Sequence, residues 1–377
     1  MTATQGRQHF LFLDGLRGVA ALAVVLLHWF DGLGYRVFGA SILAVDFFFM
    51  LSGFVVAYAY KDRLRQGYPV GRFLIARVIR LYPLILAGVV AGIVRLVGAA
   101  YAAGAPLFDG QLVKEAILTL LMIPSDLKAG ASFFPLNIAL WSLHFEFIAY
   151  LAFGLLLHRI RDVFLLLPIC AAAIGAAAWS VAYFGPGADG TSFLDLENYG
   201  YFYGLSRVAF SFMVGVLLFG MKERGIFQLS VPAPVAIIAL VGLFAAPVEW
   251  LPSWIAMAAL GLVFPAIIAG GSRVNLAPKP ERLARFFGDL SYPLYALHTP
   301  VIWMLNGVAK AKGFRLGGSL MANGLIVIPV TIFLTYAVFR LWDLPVRKLL
   351  KQQFLRSPQP KPDFANLASE TGAVPAE

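Results

Sequence analysis

Residues 12–32 read Phe12-Leu13-Asp14-Gly15-Leu16-Arg17-Gly18-Val19-Ala20-Ala21-Leu22-Ala23-Val24-Val25-Leu26-Leu27-His28-Trp29-Phe30-Asp31-Gly32. Nothing polar interrupts the run from Val19 to Leu27. At about 1.5 Å of rise per residue, a helix of this length covers about 30 Å, the thickness of a bilayer's hydrocarbon core. Asp14 and Arg17 sit near its start and no small-residue cleavage site follows, so the stretch is not a removable signal. It reads as a retained transmembrane helix with ionisable residues on it.

The same reading repeats along the chain. Mostly apolar stretches of about 18 residues or more occur at 12–32, 41–60, 81–103, 137–157, 163–184, 201–221, 231–249, 254–271, 289–309 and 320–342. The expected fold is therefore all-α, a polytopic membrane helical bundle of about ten transmembrane helices. Segment 112–124 is apolar but short, and reads as a re-entrant or interfacial helix on the outer side. Composition agrees: 60% of the 377 residues are hydrophobic, the mean hydropathy is +0.79 and 13% are charged. Soluble domains carry roughly 25% charge, and a fold this apolar needs lipid as part of its solvent.

The net charge of +10 does not call for nucleic acid. With the N-terminus inside, the inner segments hold 22 of the 30 Lys and Arg residues and the outer segments 6. That bias places both termini in the cytoplasm. The remaining two, Arg95 and Arg207, lie within spans. Residues 1–350 are expected to form one membrane domain. Residues 351–377, rich in Pro and polar residues, are expected to be a disordered cytoplasmic tail, with no soluble domain appended. A single cysteine, Cys170, allows neither an intramolecular disulfide nor a thiolate metal site, and no metal is expected.

Ionisable groups inside a membrane are costly, so each is a candidate for function. Arg17 and His28 are eleven residues apart, which puts them on one helix face about 16 Å apart along the axis. Asp14, one turn before Arg17, can pair with it. Asp46 on the second span lies at a depth similar to His28, which makes His28 its expected partner. Glu146 on the fourth span is a second intramembrane carboxylate at that depth. Arg72, Arg77 and Arg80 precede the third span, and their guanidinium groups suit bidentate phosphate contacts. Ser52-Gly53 would serve close helix approach or leave room for a substrate chain. On the ninth span, Ser291, Tyr295 and His298 share a polar face. No Walker loop, dinucleotide fingerprint, zincin motif or nucleophile elbow is present.

Five stretches taken together resemble the acyltransferase 3 family of polytopic membrane acyltransferases. They are Leu13-Asp14-Gly15-Leu16-Arg17-Gly18 with His28, the Asp46–Phe54 segment, Arg77-x-x-Arg80-Leu81-Tyr82-Pro83, Trp141-Ser142-Leu143-x-x-Glu146, and Ser291-Tyr292-x-Leu294-Tyr295-x-x-His298-x-Pro300. The resemblance covers about residues 8–350. It implies a multi-pass protein of the bacterial inner membrane that transfers an acyl group, acetyl foremost, from acyl-CoA to a hydroxyl of a carbohydrate or glycolipid. Arg17 and His28 match the family's Arg and His pair, Arg77 and Arg80 its basic pair, and Glu146 the Glu of its Trp-Ser-Leu motif. The family often has a second acidic residue after that Glu, whereas Phe147-Ile148-Ala149-Tyr150 follows here, so the acceptor subclass stays open.

On this reading Arg77, Arg80 and Arg72 hold the phosphates of coenzyme A at the inner face. The pantetheine arm runs past Arg17 and the thioester lies near His28. His28 is then the general base or carries the acyl group itself, and Asp46 or Glu146 fixes its tautomer. A proton-coupled transporter or exporter of a glycan or lipid intermediate could use the same buried groups. It would often show two related halves, and none is visible in the sequence.

Overall fold

The computed structural model describes residues 10–106, 110–127, 132–184, 196–226, 229–247 and 253–355. In order, the α-helices are α1 (Leu11–Asp31), α2 (Ala44–Arg65), α3 (Val70–Ala102), α4 (Gly110–Leu120), α5 (Leu140–Leu155), α6 (Leu166–Phe184) and α7 (Leu196–Glu223). They continue with α8 (Ala233–Ala245), α9 (Ser253–Ala258), α10 (Phe264–Gly271), α11 (Pro278–Ala311), α12 (Gly324–Val338) and α13 (Leu344–Phe354). No β-strand occurs among the described residues. Helix α4 falls on the short apolar segment read from the sequence. Most of the expected tail lies outside the described residues, although α13 carries helix to Phe354.

Six helical segments among the described residues are long and apolar enough to cross a membrane: Leu11–Asp31, Gly39–Arg65, Val70–Ala102, Gly200–Glu223, Trp254–Gly271 and Met321–Phe354. The other four expected spans fall on two kinds of helix. Leu140–Leu155, Val163–Trp179 and Ala233–Ala245 are apolar but shorter. Helix α11 has 34 residues but carries a charged first turn and a row of polar side chains, Asp289, Ser291, His298 and Thr299 among them. A polar helix survives in such a bundle by burying that row against neighbours, and Ser291, His298 and Thr299 are indeed buried.

In lipid, helices gain little from hydrophobic burial against each other. Close backbone approach and interhelical hydrogen bonds hold them together. Two seams follow this rule. Along α1 and α11, Gly15 faces Ala284, where an added Cβ would lie 3.0 Å from the alanine's own. A Cβ on Gly18 would strike the Phe287 backbone, and one on Gly288 would sit 2.8 Å from Asp14 Cβ. Between α2 and α7, a Cβ on Gly53 would run into the Phe212 carbonyl and one on Gly215 into the Met50 carbonyl. Of the two readings of Ser52-Gly53, the glycine serves packing.

Polar links tie α3 to α11 and to the turn after α12, and the segment before α5 to α11. Tyr292 donates to the Leu81 carbonyl at 2.7 Å, Trp342 Nε1 to the Pro83 carbonyl at 2.9 Å, and Asn137 Nδ2 to the Ala296 carbonyl at 2.7 Å. The main apolar core gathers the phenylalanines of α2, α5, α7 and α10, including Phe47, Phe54, Phe145, Phe153, Phe212 and Phe264. Its rings meet edge to face, as Phe47 does with Phe264 at 5.3 Å between centroids.

Candidate active site

The glycines of α1 decide where Arg17 goes. Because Gly15 and Gly18 let α11 approach closely, the guanidinium between them reaches across: Nη1 donates to Asp14 Oδ1 at 3.2 Å and Nη2 to Ser291 Oγ at 3.2 Å. The expected Asp14–Arg17 pair therefore forms, and Ser291 joins it.

Arg17 stands between two adjacent chambers. The upper one is a narrow cleft with about 700 Å³ of empty space, counting the open solvent at its mouth. Ser52, Arg77, Arg80, Glu146 and Tyr150 line it with Arg17. The lower one is an open cavity of about 1360 Å³. It lies at the N-terminal end of α1 and the C-terminal end of α2, and is lined among others by Asp14, Arg285, Asp289 and Arg347. Arg17, Leu51, Val55, Arg80 and Tyr292 line both chambers, so the two are adjacent, with these side chains between them.

Glu146 faces the upper chamber. Ser52 Oγ donates to its Oε1 at 2.7 Å, and the Tyr150 hydroxyl donates to the same oxygen. Arg77 is buried; its Nη2 donates to the Tyr60 hydroxyl at 3.1 Å, and its guanidinium lies over the Tyr60 ring at 4.8 Å. Its Nε is buried with no hydrogen-bond partner among the described residues. A buried N–H donor without a partner is costly. Of the basic residues before the third span, Arg77 and Arg80 line the upper chamber, whereas Arg72 lines neither chamber.

His28 lies three turns above Arg17 and also lines neither chamber. Its partner corrects the expectation drawn from depth. His28 Nδ1 is 3.3 Å from His298 Nε2, and the two rings meet edge to face at 4.9 Å. Nδ1 is also 2.9 Å from the Val24 carbonyl. A carbonyl only accepts, so that nitrogen carries the proton. His298 is fully buried, and its own Nδ1 lies 2.8 Å from the Tyr295 carbonyl and 3.0 Å from that of Leu294. By the same argument its Nε2 is an acceptor, which His28 Nδ1–H and the Thr299 hydroxyl, 3.1 Å away, can both use. Between the upper chamber and this imidazole pair stands Tyr295, whose hydroxyl is 2.6 Å from Ser142 Oγ.

Asp46 does not pair with His28. It forms an ion pair with Arg207 on α7, and the hydroxyl of Ser211 donates to its Oδ1 at 3.2 Å. The reason is the α2–α7 glycine seam, which brings the two helices close enough for the side chains to meet. Arg207 also lies over the Trp141 ring at 5.6 Å. In the sequence Arg207 was visible only as one of two guanidinium groups inside spans, without a sign of its partner. Arg285 and Arg347 were hidden differently: both read as ordinary positive-inside anchors. No group of three or more metal-ligating side chains occurs among the described residues.

No solved structure matches the chain. It is 53% identical over 78 residues to "Protein 2 in picA locus" of Rhizobium radiobacter, covering 20% of this chain and 40% of that protein. It is 30% identical over 188 residues to acyltransferase MdmB of Streptomyces mycarofaciens, 45% of each chain. The chain thus spans less than half the length of either curated relative. The acyltransferase 3 profile, described as an acyltransferase domain, matches residues 10–340, which takes in the upper chamber, the imidazole pair, the five motifs and the lower chamber apart from Leu344 and Arg347; the chain belongs to the acyltransferase 3 family.

Proposed function

We propose that this chain is a membrane O-acyltransferase that moves an acyl group, acetyl foremost, from acyl-CoA to a hydroxyl of a carbohydrate or lipid-linked glycan. The observation that carries the reading is the pair of adjacent chambers with Arg17 and Arg80 between them, in the upper of which Arg17, Arg77 and Arg80 line the wall with Glu146. Family membership and the acyltransferase name of a relative support it. A basic chamber adjoining a smaller one with largely apolar lining suits a ligand with phosphates at one end and a thin arm at the other.

In this reading the donor's charged end lies below Arg17 and its pantetheine arm enters the upper chamber. The Glu146 carboxylate accepts from an amide N–H of the arm, as it now does from Ser52 and Tyr150. The acceptor hydroxyl attacks the thioester carbonyl and the carbon–sulfur bond breaks. His28 Nε2, left unprotonated because Nδ1 holds the proton, takes the hydroxyl proton and returns it to the departing thiolate. An acyl-His28 intermediate would use the same nitrogen as nucleophile. For the thioester to meet His28, the Tyr295–Ser142 contact must part, because His28 lines neither chamber. The cytoplasmic membrane, with the lower chamber towards the cytoplasm, is the setting this chemistry requires.

Membranes carrying the chain should move label from acetyl-CoA into a host glycan or lipid extract, and His28→Ala should reduce that transfer by about 10²-fold or more. If His28→Ala accumulates normally and keeps full transfer, His28 is not the base. If no acyl-CoA donates label to any acceptor, proton-coupled transport becomes the better reading.

A further inference from the structure

The lower chamber holds two guanidinium groups that the proposed function leaves idle. Arg347 comes from α13 and Arg285 from the first half of α11. Arg347 is fixed from behind: its Nε donates to Asp343 Oδ1 at 2.8 Å, and a terminal nitrogen lies 2.6 Å from Asp343 Oδ2. Asp343 is fully buried, at the end of a π-helical turn, Phe339–Asp343. Such turns wind one extra residue into a helix, and they are frequent at functional sites. Here the turn delivers a carboxylate whose described polar partner is the arginine four residues on. One hydrogen bond and one ion-pair contact hold the guanidinium on this carboxylate, it lies over the Tyr292 ring at 5.6 Å, and Arg347 lines the chamber. Arg285 pairs with the more exposed Glu281 at 2.7 Å. With Arg17 and Arg80 the chamber carries four guanidinium groups against Asp14 and Asp289.

A chamber with this charge excess and an apolar wall fits a phosphorylated nucleoside better than a neutral ligand. We propose that the lower chamber seats the phosphorylated adenosine end of the donor, with Arg347 and Arg285 as phosphate contacts and Asp343 as the residue that positions Arg347. The proposal rests on the acyl-CoA reading above and moves the outermost phosphate contact from Arg72, which lines neither chamber, to α11 and α13. An anionic lipid headgroup presents the same phosphate chemistry, so the test must separate the two.

The test compares acetyl-CoA with S-acetyl-pantetheine, which has the thioester and arm but no phosphate, using the full chain in native membranes. Arg285→Ala/Arg347→Ala should lower kcat/KM for acetyl-CoA by about ten- to a hundredfold per lost charged contact. The loss should appear in KM, and transfer from S-acetyl-pantetheine should not change. Arg347→Lys, which keeps the charge and loses the fork, covers the case in which the double variant fails to accumulate. It should move the donor ratio the same way by less. Asp343→Asn should do so too, because it loosens Arg347 without removing it. Equal losses on both donors would mean that the two arginines hold the fold or a lipid headgroup, and would overturn the proposal. So would an unchanged donor ratio. Wild-type membranes that transferred from neither donor would instead remove the acyl-CoA reading itself.

Discussion

Asp46 and Glu146 are both carboxylates on apolar helices, the first long enough to cross a membrane and the second shorter, and by expected depth either could serve His28. Their surroundings differ in kind. Asp46 is 1% exposed and sits in a sealed contact with Arg207 and Ser211. Glu146 faces an open chamber, and its partners are two hydroxyls. A carboxylate neutralised by a guanidinium in dry surroundings is spent on holding two helices together. One held by hydroxyls can exchange them for a ligand's donors at little cost. Availability, rather than depth or residue type, separates a candidate for chemistry from a structural clamp.

The sharpest test of this contrast is to remove the clamp. Asp46→Ala leaves Arg207 as an uncompensated buried charge, and losing one partner of a buried pair costs about 3–5 kcal/mol. The expected outcome is a large fall in thermal stability in detergent. Whatever transfer remains should scale with the folded fraction and show an unchanged KM. A variant that stays as stable as wild type but loses transfer would reverse the assignment and make Asp46 part of the chemistry.

Glu146→Gln should do the opposite. The amide keeps the shape and still accepts from Ser52, so melting should move little. A hydrogen bond to a charged group is worth about 1.5–3 kcal/mol, so transfer should fall about ten- to a hundredfold. Melting and transfer measured on the two variants form a crossed pair. If they moved together in both, the distinction between clamp and site would be wrong.

How far this contrast could be read beforehand follows from what each residue depends on. Arg17, Asp14 and His28 share one helix, and 3.6-residue periodicity fixes their relation, so the Asp14–Arg17 pair was legible. The polar face of Ser291, Tyr295 and His298 was legible for the same reason. The partners of Asp46 and His28 were not, because they depend on which helices touch. The α2–α7 contact is set by Gly53 and Gly215, and the α1–α11 contact by Gly15, Gly18 and Gly288. A glycine in a span shows that something comes close without saying what. Helix length and hydropathy leave the number of spans open for a related reason. Helix α11, read as a span at 289–309, carries a polar row that lowers its hydropathy, and Ser291 and His298 on that row meet Arg17 and His28 of α1.

The smallest expected effect concerns the floor between the chamber and the imidazole pair. Tyr295 donates or accepts at 2.6 Å from Ser142, while its ring meets Phe48 edge to face at 5.4 Å and lies 6.0 Å from the His298 ring. The hydroxyl contact and the ring contact are separable. Tyr295→Phe removes only the first, and interhelical side-chain bonds in membranes average about 0.6 kcal/mol. Melting should fall by about that amount, and transfer should change less than about threefold. Adding Ser142→Ala removes only the further bond of Ser142 Oγ to the Ala139 carbonyl at 3.2 Å, within its own turn, and should change melting little more. A gain in transfer in Tyr295→Phe would mean that the hydroxyl bond is a bar that the donor must lift on its way to His28. A loss of tenfold or more would mean that the hydroxyl itself touches the reacting groups. Near-neutrality would leave the ring's shape as the floor, displaced by the acyl arm as it enters and restored by Phe48 when it leaves.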